Sequence, residues 1–136
     1  MNNLLIDQFF HIRIENGILF SELIQDDYFF NDDNAFACIR KVEELTEGKP
    51  MPFLIDVRKF VGNFSPSAAK IFANSPVLKR ILINQVFVVD TLNGKLLINA
   101  FKRIYGQETP IQVFENIETA FAYCIESKNK FYANNN

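Results

Sequence analysis

The sequence predicts an α/β domain in which an N-terminal β-hairpin precedes alternating helix–strand units. These units form a mixed, mostly parallel sheet of about five strands with packed helices. Three observations predict it. Residues alternate in polarity on either side of Asn16-Gly17, which marks two antiparallel strands. Downstream, apolar stripes at helical spacing alternate three times with short apolar runs, which implies parallel strands joined by right-handed crossovers. The length of 136 residues fits one domain and suffices for an ordinary core without metal or disulfide staples.

From Phe9 to Ile14, Phe10, Ile12 and Ile14 fall to one side and Phe9, His11 and Arg13 to the other. Asn16-Gly17 tolerates the positive φ angles of a type I′ turn, and residues 18–24 return as the second strand. Residues 25–31 form a connector rich in Asp and aromatic residues. A helix begins near Asn31-Asp32-Asp33, whose side chains can accept from unpaired backbone N–H groups. Its buried stripe is Ala35, Cys38, Ile39, Val42 and Leu45, and Gly48 and Pro50 end it. Phe53-Leu54-Ile55 is a short buried strand leading into Asp56-Val57-Arg58.

Ser65-Pro66 has the N-cap and N1 chemistry of a helix start, and Ser75-Pro76 repeats that signal for a second short helix carrying Val77, Leu78, Ile81 and Leu82. Val86-Phe87-Val88-Val89 is apolar without alternation, as expected of a parallel strand covered on both faces. A helix over residues 93–105 is expected to bury Leu96, Leu97, Ala100, Phe101 and Ile104. Residues 111–114 form the last strand, and Asn116 caps a final helix with the stripe Ile117, Ala120, Phe121 and Cys124. The domain is expected over 1–127, with 128–136 a frayed tail.

Composition narrows function. At 49% hydrophobic and 22% charged residues, disordered and fibrous classes are excluded. Fourteen Lys and Arg against sixteen Asp and Glu give a net charge of −2, which offers no general attraction to nucleic acid or anionic membrane. No apolar run approaches a membrane span, and the N-terminus lacks the basic region of a signal peptide, so a cytoplasmic location is expected. Two cysteines exclude a disulfide framework. The aromatic content is 15 Phe and 4 Tyr with no Trp.

In open α/β sheets ligands occupy the crevice outside the carboxyl ends of the strands. Those ends carry Asp56 and Arg58, then Asp90, then Glu115. Three acids near one rim suggest a magnesium-binding phosphoryl receiver, but the acids after the first strand and the lysine after the last are missing. Asp56 and Arg58 lie two apart on extended chain, either as a structural ion pair or as a recognition site for an anion or partner backbone. Ser65 either caps its helix or accepts a phosphate, which would meet free N–H groups and the helix dipole; Ser67 is the weaker candidate. His11 has no second ligand nearby in sequence, and Cys38 and Cys124 fall in core stripes. Lys79, Arg80, Lys95, Lys102 and Arg103 either line one patch for an acidic partner or, the favoured reading, are solvated helix faces. No phosphate-binding loop, nucleophile elbow, zinc motif or C-x-x-C occurs, and no cofactor or metal is expected.

Leu54-Ile55-Asp56-x-Arg58, followed by Ser65-x-x-Ala68-x-x-x-Phe72-Ala73, resembles the middle of bacterial STAS-like (SpoIIAA-like) domains. Asn99-x-Phe101, Pro110, Phe114 and Ala120 fit the same group. The resemblance implies a small α/β domain that acts through protein contacts, with Asn99 joining Asp56, Arg58, Ser65 and Asp90 as binding residues. In the anti-sigma factor antagonists of this fold, a serine opening the helix after a central strand is a phosphorylation switch, and Ser65 is its nearest positional match. Their Asp-Ser-Ser-Gly type motif is replaced here by Asn63-Phe64-Ser65-Pro66. The fold also overlaps with lipid-binding relatives of the CRAL-TRIO type.

The leading expectation is a non-enzymatic regulatory or protein-interaction domain, with Ser65 as its candidate phosphorylation site, a protein partner and a homodimeric state. The alternative is a binder of a small apolar ligand or lipid, suggested by the many Phe residues and the family overlap, for which a large enclosed apolar cavity would speak and against which a packed core would count. An enzyme using Asp56, Arg58 and Asp90 is the third reading.

Overall fold

Asn16 and Gly17 both take positive φ, 54° and 76°, and close β1 (Phe10–Glu15) against β2 (Ile18–Leu23) in antiparallel register. This hairpin opens a computed structural model that describes residues 10–23, 29–58, 62–106 and 109–135. Phe9 and most of the expected connector lie outside the described residues. The connector's end forms β3 (Phe29–Phe30), which pairs in parallel with β5 (Asn63–Phe64) as a separate two-stranded sheet.

The helix α1 (Asp32–Thr46) starts where the Asx chemistry predicts. Asn34 N–H donates to Asn31 Oδ1 and Asn31 N–H donates to Asn34 Oδ1, each at 2.9 Å, satisfying two helix-start donors reciprocally. Glu47, in the left-handed region at φ 53°, turns the chain out of it. Strand β4 (Met51–Asp56) is buried along its whole length and starts earlier than its apolar core suggests. Pro52 explains the masking: a central strand disfavours a residue with no N–H, and the pairing of β4 with β6 (Leu82–Val88) shifts register between Met51 and Phe53, where Pro52 sits.

Ser65 and Ser75 cap α2 (Pro66–Asn74) and α3 (Pro76–Ile81), each followed by proline at the first helical position. The chain passes from α3 directly into β6 at Leu82, so four residues more than expected are extended. Then follow α4 (Leu92–Tyr105), capped by Thr91, β7 (Ile111–Phe114) and α5 (Ile117–Asn134), capped by Asn116. The main sheet has the order β1-β2-β4-β6-β7, with every pairing after the hairpin parallel.

The core divides by strand periodicity. On one face Phe10, Ile12, Phe53, Ile55 and Phe87 pack against α1–α4. On the other, Ile18, Phe20, Leu54, Val86 and Val88 are covered by α5 through Ala120 and Cys124. The stripe expected for α4 is corrected: Gly94, Ile98 and Phe101 face inward, while Leu96 and Ile104 are 60% and 66% exposed. Both sides of this helix are apolar in sequence. Ile98 and Phe101 join the core beneath α1–α3, which gives the inward face to the Gly94 side.

Residues 128–134, expected to fray, continue α5. Two tertiary bonds hold them: Lys128 Nζ donates to the Asn16 carbonyl at 2.8 Å, and the Tyr132 hydroxyl donates to the Pro50 carbonyl. Among the described residues no helix is long and apolar enough to cross a membrane.

Candidate functional site

The five residues singled out from sequence fall at three places. Asp56 ends β4, and Arg58 stands two residues on. Arg58 Nε donates to Asp56 Oδ1 at 2.9 Å and Arg58 Nη2 to Asp56 Oδ2 at 2.7 Å, a bidentate fork completed by Arg58 N–H to Oδ1 at 3.2 Å. Asp56 is buried and Arg58 half-buried. The pair raises the Arg58 pKa above its ordinary value, chiefly through the hydrogen bond to Asp56, with the charges of Asp56, Asp90 and Glu22 adding. Both carboxylate oxygens of Asp56 are thus committed to Arg58, and proton abstraction by Asp56 would require breaking the fork. What this arrangement offers outward is the free edge of a half-buried guanidinium, suited to an anion or a carbonyl.

Asp90 is exposed in the turn between β6 and α4, close enough to act on Arg58. Glu22 joins this rim and was missed in the sequence. It aligns with Asp56 in the β2–β4 register, a pairing visible only once the strand register is known. Glu22 binds Arg13 at 3.1 Å, and the Arg13 guanidinium lies 4.6 Å from the Phe20 ring centroid. His11 Nδ1 lies 3.3 Å from Arg13 Nη1, so the lone histidine sits within this ionic group.

Ser65 stands elsewhere, at the junction of α1 and α2. Its Oγ accepts from Ala68 N–H at 3.0 Å and donates to Asp32 Oδ1 at 3.0 Å. Ser67 Oγ donates to the same oxygen at 2.5 Å, and Ser65 N–H donates to the Phe30 carbonyl at 3.0 Å. Asp32 is the second residue missed. It changes the electrostatics expected at Ser65, because a phosphate there would meet the α2 N-terminus and also a carboxylate at bonding distance.

Asn99 is exposed on α4 and lines a groove against β7 with Lys95, Lys102 and Gln112. Lys95 pairs with Glu115 across it. The structure therefore unites Asp56, Arg58 and Asp90 and leaves Ser65 and Asn99 apart from them. Burial pushes the thiols of Cys38 and Cys124 up to about 12, so both are protonated at neutral pH. Among the described residues no group of three His, Cys, Asp or Glu side chains is placed to hold a metal ion.

Comparison with known proteins gives the same architecture. The chain is similar in structure to an uncharacterised protein of the DUF3478 family with a SpoIIAA-like fold from Shewanella loihica PV-4. The TM-score is 0.58 at 15% identity, covering 85% of this chain and 91% of that one. At that identity the likeness establishes the fold, which is the SpoIIAA-like α/β fold that the resemblance implied. No curated protein matches the chain. A family model described as a domain of unknown function, DUF7793, matches residues 12–128. Spanning both sheet faces from β1 into α5, that match shows that the chain belongs to the DUF7793 family.

Proposed function

We propose that this domain is a non-enzymatic regulatory module that acts by contact with a protein partner, and that Ser65 is its modification-sensitive point. The observation that carries the reading is the Ser65–Asp32–Ser67 cluster, which joins the starts of α1 and α2 through one carboxylate oxygen. A phosphate on Ser65 removes the hydroxyl donor and places about two negative charges beside Asp32, so the two helix starts are driven apart. The mutually committed Asp56–Arg58 fork supports a binding role for the rim over a catalytic one. Arg58, Asp90 and Asn99 are the exposed or half-exposed groups a partner would meet. A homodimer is part of the same reading, with the outer edge of β1 as the natural contact.

The test is capture from native lysate by the tagged wild type, Ser65→Ala and Ser65→Asp, with phosphosites mapped by mass spectrometry. The reading expects a specific protein whose recovery changes at least tenfold between Ser65→Ala and Ser65→Asp, and phosphate at Ser65 in a fraction of the native protein. Identical capture by all three, with Ser65 always unmodified, overturns it. Light scattering at high micromolar concentration checks the dimer, and a monomer mass removes it.

A further inference from the structure

The face of the sheet opposite α5 does not pack solidly against its helices. Between the sheet and α1, α2 and α4 lies a cavity of about 120 Å³. Phe53, Ile55 and Phe87 form its floor, and Cys38 of α1 and Ala69 of α2 stand in its wall. Among the described lining residues Ser21 is the only one with a hydroxyl, and none carries a charge. Phe30, Phe64 and Leu97 line it while remaining half-buried, so their side chains reach from the cavity to the surface.

Native interiors leave few voids larger than a water molecule. Water does not suit this one, because a buried water needs two to four polar partners. An ionised group inside would be uncompensated, which excludes a fatty-acid carboxylate held within the cavity. An apolar cavity of about 150 Å³ stays dry and takes up benzene; the space here is of that order and too small for a long acyl chain.

We propose that this cavity is a binding site for a small uncharged apolar molecule of about six to eight heavy atoms, a single aromatic ring or a short alkyl group, entering past Phe30, Phe64 and Leu97. The proposal is independent of the Ser65 reading, since neither needs the other to hold.

Toluene is the probe. Thermal unfolding of the intact chain in a toluene series is expected to show a Tm that rises with the logarithm of toluene concentration above Kd, by about 5 °C at ten times Kd. Sodium octanoate at equal concentration is expected to give less than a quarter of that rise. Cys38→Leu, which extends a side chain into the space, is expected to abolish the toluene response. No rise in the wild type, an equal rise with octanoate, or an undiminished rise in Cys38→Leu each overturns the proposal. Should Cys38→Leu fail to fold, labelling of the wild-type thiols by methyl methanethiosulfonate decides. Toluene should slow Cys38 at least fivefold more than Cys124, and equal effects on both overturn the site.

Discussion

Replacing Ala69 with leucine should stabilise this protein, whereas the same change at the neighbouring Ala68 should destabilise it. Both residues lie on α2 and both are buried, but Ala69 lines the cavity and Ala68 does not. Leucine adds three carbons. At about 0.8 kcal/mol per buried carbon the transfer gain is ~2.4 kcal/mol. Lost rotamer freedom takes back about 0.5–1 kcal/mol, and helix propensity changes little. The net gain is about 1.5 kcal/mol, within the usual range for filling a cavity, and corresponds to ~5 °C in Tm for a domain of this size. At Ala68, 0% exposed, there is no space to fill, and overpacking costs roughly 1–3 kcal/mol. Urea unfolding of wild type and both variants measures this directly, with the m-value held common so that the shift in midpoint reports stability. Equal destabilisation by the two substitutions would refute the reasoning, because the space beside Ala69 would then be unusable.

Four further outcomes are expected. Ser65→Ala removes a helix cap and the bond to Asp32, lowering stability by about 1–2 kcal/mol, while Ser67→Ala costs less; urea midpoints check both. Leu54→Ala, on the face covered by α5, is expected to cost about 3–4 kcal/mol, and a cost below 1 kcal/mol would mean that α5 is not seated there. The buried thiols make the fold weaken in alkali. Their folded pKa is raised to about 12 from 9.0, so above pH 9 the unfolded chain releases protons that the native chain retains, and stability falls as pH rises from 9 toward 12. Each thiol contributes a slope of about 1.4 kcal/mol per pH unit in that window and none below it; chemical denaturation from pH 7 to 11 should show a shallower decline in Cys38→Ala. Tyr132→Phe leaves the Pro50 carbonyl without its partner and should cost about 1 kcal/mol, with faster amide exchange confined to the last turns of α5.

Local chemistry carried the legible part of the fold. Asn16-Gly17, Ser65-Pro66, Ser75-Pro76 and Asn116 each stand where a turn or cap forms, because their backbone demands are met by residues next to them in sequence. What was not legible depends on distant partners. Pro52 hides the start of β4 because only the register with β6 reveals the irregularity that tolerates it. α4 has two apolar sides, and packing of Ile98 and Phe101 into the core built by distant elements decides between them. The end of α5 looks like a polar tail until Lys128 and Tyr132 find carbonyls about 112 and 82 residues away. The site divides the same way. Asp56 and Arg58, two residues apart, were paired from sequence, whereas Asp32 beside Ser65 and Glu22 beside Asp56 required the tertiary structure.

The helix α5 on the second face of the sheet also sets an order of events during synthesis. Every described strand precedes α5, and among the described residues no other helix seals Ile18, Leu54, Val86 and Val88. At ~5–20 residues per second, the 18 residues of α5 take about 1–4 s to be made, and until α5 has emerged and docked, this face of the sheet lacks its helical cover. A chain cut between β7 and α5 is therefore expected to expose that apolar face and to aggregate more readily than the intact chain. The bonds from Lys128 and Tyr132 to the hairpin turn and to the loop before β4 then fasten the end of α5 to segments made far earlier.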